Sequence, residues 1–119
     1  MSEYYEALNT CDQVIFDLWG AINDYLPDHN GEYIIAWDLS ECEYIRNSIH
    51  AAADAVLSTM MANHVSYEVH TAIDSYDAAF KQKDIAGCKA ALMKCCKVFR
   101  DIRIVCQRVK SDMKKKGVA

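Results

Sequence analysis

Between Ile85 and Met113 the apolar side chains recur in unbroken steps of three and four: Ile85, Cys88, Leu92, Cys95, Phe99, Ile102, Cys106, Val109 and Met113. That period lines them along one face of an α-helix, whereas a strand would need alternation at every second residue. Ala91, Val98 and Val105 widen the apolar face, so the helix is expected to pack against more than one neighbour. Asp84 stands where an N-cap belongs, and Gly117 marks the stop. At a rise of about 1.5 Å per residue such a helix spans roughly 45 Å.

A second heptad stripe opens the chain, at Tyr4, Leu8, Cys11, Ile15, Leu18, Ile22 and Tyr25, with Ser2 as its expected cap. Gly20 interrupts it off the stripe, at a cost of roughly 1 kcal/mol relative to alanine. Pro27-Asp28-His29-Asn30-Gly31 forms a turn cluster. Residues 32–39 are apolar without a helical period and read as a packed connector containing one helical turn. Ser40 and Glu43 have the spacing of a capping box, which predicts a second helix. Its stripe is Cys42, Ile45, Ile49, Ala52, Val56 and Met60, closed by Asn63 and His64. A third helix is predicted after Ser66, with Val69, Ile73, Tyr76 and Phe80 inward and Lys81-Gln82-Lys83 at its end. With one proline and four glycines in 119 residues there is little to break these elements. The fold class is therefore all-α: an antiparallel four-helix bundle with a long C-terminal helix, residues 1–119 forming a single domain.

Charge is segregated along this frame. Ten acidic side chains, Glu3 to Glu43, precede the first Lys or Arg at Arg46, while from Ile85 onward ten Lys and Arg face only Asp101 and Asp112. The net charge of −4 conceals that asymmetry. It predicts the acidic first helix alongside the basic fourth, because opposite charges select neighbours in a bundle. Surface pairs contribute only about 0–1 kcal/mol each, so helix pairing alone does not require this degree of segregation. The apolar stripe on the fourth helix also outruns its shorter neighbours. This predicts a homodimer, in which the tail of one fourth helix lies on the acidic first helix of the other subunit.

Chemistry is harder to assemble. The start MSEYYEAL is acidic and amphipathic, unlike a secretory signal, so the six cysteines are read as reduced intracellular thiols and a cytoplasmic location is expected. Cys88, Cys95 and Cys106 lie too far apart along one helix to bridge one another. Cys42 falls in a first helical turn, where the dipole lowers a thiol pKa, although Glu41 and Glu43 oppose it. His50 with Asp54, His64 with Glu68 and His70 with Asp74 are spaced i,i+4 and read as solvated pairs. No metal, no cofactor and no membrane span is expected. Arg46-Asn47-Ser48-Ile49-His50 resembles the motif of the all-helical HEPN RNases, in which an Arg precedes a catalytic His. Here three residues intervene, where that motif has four to six. The resemblance implies a metal-independent RNase in which Arg46 binds, and His50 protonates at, a scissile phosphate.

There is no phosphate-cradling glycine loop and no set of nucleophile, base and oxyanion donor. The leading expectation is a non-enzymatic protein-interaction module, an adaptor or inhibitor whose protein partner is recognised electrostatically. Proteins of this size with an acidic face include phage-type inhibitors of nucleic-acid enzymes, an analogy of charge alone. The residues expected to carry binding are Glu3, Glu6, Asp12, Asp17 and Asp24 on the acidic side, and Lys97, Arg100, Arg103, Arg108 and Lys110 on the basic side. Direct nucleic-acid binding is disfavoured, because the acidic half repels the same polyanion.

Overall fold

The computed structural model describes residues 3–117. Four helices follow one another: α1 (Glu3–Ile22), α2 (Leu39–Leu57), α3 (Ala62–Lys81) and α4 (Ile85–Lys115), with a single 3-10 turn, Asn23–Tyr25, extending α1. Each packs on its chain neighbours, α4 closes the ring against α1, and α2 also touches α4 across the middle. The bundle is 48 Å long, the length of α4 itself at about 1.5 Å per residue.

The stripes are the core. Leu8, Cys11, Ile15 and Ile22 of α1, Cys42, Ile45, Ile49 and Val56 of α2, and Phe99 and Cys106 of α4 are all at 0% exposure. Tyr76 of α3 is equally buried, and its hydroxyl donates to the Cys42 carbonyl at 2.8 Å, satisfying a group that would otherwise be costly to bury. Val109 and Met113 at the α4 tail are half-buried against the same core. The tail expected to lie on another subunit thus finds apolar cover within its own chain.

Boundaries differ from expectation at three places. First, α2 begins at Leu39 and is capped by Asp38, not Ser40. Asp38 Oδ1 accepts from the Glu41 N–H at 2.9 Å and from the Ser40 hydroxyl at 2.7 Å. A carboxylate is the stronger acceptor, and these hydrogen bonds, led by the Glu41 N–H, hold its carboxyl below the usual range. Second, Leu39 belongs to α2, and residues 32–38 contain no helical turn. They run as an irregular connector anchored by Trp37, which is buried edge-on to Tyr25 and Tyr33.

Third, α2 stops at Leu57 and α3 starts at Ala62, so Asn63, His64 and Ser66 all lie inside α3. The turn between them is closed by Thr59, whose hydroxyl donates to the Val56 carbonyl at 2.7 Å and accepts from the Met61 N–H at 3.2 Å. It rotates Met61 inward and leaves Met60 exposed, reversing the predicted stripe. The end of α3 falls where expected, at Lys81, and the chain leaves it through Lys83 in the left-handed region, φ 54°. Ser2 lies outside the described residues. The Asp84 cap is present, accepting from the Gly87 N–H at 2.9 Å.

Two helical glycines separate by their surroundings. A Cβ at Gly20 would meet nothing within 4 Å, whereas one at Gly87 would collide with the Asp84 carboxylate. Gly20→Ala should therefore gain about 0.5–1 kcal/mol in urea unfolding. Gly87→Ala should gain nothing or lose stability, because the displaced cap costs about as much. Equal gains would mean the cap does not depend on the glycine.

Candidate functional site: the outward faces of α1 and α4

The side-by-side placement of α1 and α4 makes a seam and two outer faces. In the seam, Asp12 is the hub. It accepts from Arg103 Nε at 2.7 Å and Lys110 Nζ at 2.8 Å, and Lys110 also donates to Asn9 Oδ1 at 2.9 Å. The three charged side chains retain only 18%, 30% and 17% exposure. Burial raises the Asp12 pKa, but hydrogen bonds and charge from Lys110 and Arg103 outweigh it, and the carboxyl ends below its ordinary value. The Arg103 guanidinium also lies 5.3 Å over the Phe16 ring. Three of the ten expected binding residues are therefore occupied with one another. The pairing of the acidic first helix with the basic fourth, expected within the bundle, is made through these contacts.

The other seven face out. Glu3, Glu6 and Asp17 are exposed along α1, Asp24 on the 3-10 turn that extends it, and Lys97, Arg100 and Arg108 along α4. Asp17 accepts from Gln13, and Arg100 approaches Asp101 at 4.0 Å. Among the described residues none of the others makes an ion pair. Lys94, Lys114, Lys115 and Lys116 extend the same exposed basic surface.

Arg46 and His50 are brought together by a residue that sequence reasoning missed. Asp77 of α3 accepts from Arg46 Nε at 2.9 Å, and its two oxygens lie 2.8 and 2.9 Å from His50 Nε2. A carboxylate has no proton to give, so Nε2 carries the hydrogen and Nδ1 is the ring nitrogen left for other work. The Arg46 guanidinium rests 5.6 Å over Phe80. His50 thus pairs across helices rather than with Asp54 on its own.

The thiols also pair across helices. Cys11 of α1 neighbours Cys106 of α4, and Cys42 of α2 neighbours Cys88 of α4, closely enough that each thiol shifts the other's affinity for its proton. Within the first pair the interaction lowers Cys11 and raises Cys106. Burial raises Cys42 above its ordinary value, outweighing the lowering that its place in the first turn of α2 would bring. Burial likewise pushes Cys88 and Cys96 up to about 11. Among the described residues no group of three His, Cys, Asp or Glu is arranged to hold a metal, and no helix is long and apolar enough to cross a membrane. Comparison with protein-family models, with curated proteins and with solved structures finds no match for this chain.

Proposed function

We propose that the chain is a non-catalytic protein-interaction module, an adaptor or inhibitor, that recognises a charged protein partner through the outer faces of α1 and α4. One observation carries this reading: the segregated charge is mostly not spent on holding the helices together. If it served only helix pairing, it would be concentrated in the seam. The seam uses Asp12, Arg103 and Lys110, while Glu3, Glu6, Asp17 and Asp24 point away from it. An exposed row of one sign raises the encounter rate with a complementary partner and fixes its orientation. On α1 the row is acidic, which suits a basic groove such as those that bind nucleic acid.

The test is capture from native lysate with two charge-reversed chains beside the wild type. One carries Glu6→Lys, Asp17→Lys and Asp24→Lys, the other Arg100→Glu and Arg108→Glu. A partner held at low salt, released at high salt and lost in one variant but not the other identifies the working face. A partner retained equally by both variants would defeat the proposal.

Asp77 supports one alternative. A carboxylate orienting His50 beside Arg46 is the arrangement a metal-independent RNase could use, with Nδ1 as the proton carrier. Structured RNA incubated with wild type and with His50→Ala decides it. Cleavage lost in the variant favours the enzyme; absent or equal cleavage in both eliminates it.

A further inference from the structure

The seam between α3 and α4 holds a groove, and Lys97 and Lys94 of the basic surface stand on its rim. Its larger part, about 430 Å³, has Val65, Val98 and Ile102 beneath and Glu68 and Asp101 at the rim. Glu68 and Val98 continue into a second part of about 320 Å³, whose rim carries Lys94 and Lys97. Two apolar side chains stand open beside it, Tyr67 at 79% exposure and Val105 at 48%. Exposed apolar side chains clustered on a groove mark an association surface.

The charges identify the occupant. Along the seam the rim is acidic at Glu68 and Asp101, then basic at Lys94 and Lys97. Asp101 and Lys94 are separated by two helical turns, roughly 10 Å. Among the described residues Glu68, Lys94 and Lys97 make no ion pair, and Asp101 has only Arg100 at 4.0 Å. A two-fold axis through the seam near Val98 would set the acidic end of one chain on the basic end of another, twice over. A foreign helix would have to carry this order of charges reversed; a second copy carries it by construction. We infer that the α3–α4 seam is the self-association surface of this protein, forming an isologous dimer in which Glu68 and Asp101 of each chain meet Lys94 and Lys97 of the other. This dimer buries the α3–α4 side and leaves the acidic face of α1 free. It shares Lys94 and Lys97 with the basic face proposed above, and its test by mass is read independently of any partner.

Light scattering on the full chain tests it. Wild type should show the mass of two chains at micromolar concentration. Glu68→Lys with Asp101→Lys, and separately Lys94→Glu with Lys97→Glu, should each raise the dissociation constant by roughly a hundredfold, since like charges then face each other. Combining all four substitutions should restore the dimer, and mixing the two double variants should give a heterodimer. Circular dichroism confirms that each variant is folded, and either double variant alone suffices if the other does not fold. A one-chain mass for wild type overturns the inference, even if the groove captures another protein. So does a dimer indifferent to both double variants.

Discussion

Phe99→Ala should cost about 3–5 kcal/mol in equilibrium urea unfolding, the range for removing a large aromatic from a core that cannot collapse around the gap. Phe99 is at 0% exposure midway along α4, the helix that touches all three others, so no single neighbour can move to fill the space. Domains of this size hold only about 5–15 kcal/mol in reserve, so the variant should sit close to unfolding at room temperature. Met93→Ala, on the same helix but 45% exposed, should stay within about 0.5 kcal/mol. A loss below about 1 kcal/mol at Phe99 would mean that the α4 stripe is not packed as described.

Asp12→Ala should be the next most damaging change, at about 2–3 kcal/mol, because it leaves both Arg103 and Lys110 partly buried without their acceptor. It should also alter the response to acid. The Asp12 carboxyl is depressed in the folded chain below its ordinary value of 3.8. Its contribution is therefore complete above that value and is lost as pH falls through the lower, folded one. Wild type should lose stability across that acid limb, and Asp12→Asn should flatten it. A double-mutant cycle with Arg103→Ala isolates the pair, and a coupling near zero would show that the seam contact carries no stability.

The parts of this fold legible in the sequence are those in which one local rule acts alone. The α1 and α4 stripes persist over so many turns that no tertiary effect displaces them, and Asp84 is followed directly by the helix it caps. The α2 start is ambiguous in the sequence because Asp38 and Ser40 are both able caps two residues apart. The choice between them is made by Asp38, which binds both Glu41 and Ser40, while the Glu41 side chain takes a 2.6 Å hydrogen bond from Tyr25. The two turns bounding α3 contain neither glycine nor proline. One is built from the Thr59 hydroxyl and the other forces Lys83 to positive φ, so the usual punctuation is missing.

The site divides the same way. Asp12 sits next to the α1 stripe residue Cys11, a flanking position from which bundle charges reach a neighbouring helix, and that signal lies in the spacing of the residues themselves. Asp77 and the pairs Cys11–Cys106 and Cys42–Cys88 carry no such signal. Each joins residues at least 27 positions apart, and only the packing of one helix on another brings them together.

Trp37 makes the chain its own optical reporter. Its indole is 7% exposed, wedged by Tyr25 and Tyr33, with the Lys89 ammonium 5.9 Å from its ring and its N–H without an acceptor among the described residues. Trp19, the second tryptophan, is half-buried on α1. Emission from Trp37 should therefore lie to the blue and move to the red when the connector lifts away from α4 and water reaches the ring. Fluorescence followed alongside helical circular dichroism would then separate two events that a single probe merges. Coincident curves mean that the connector departs with the helices, and an earlier fluorescence change means that it works loose while the bundle remains intact.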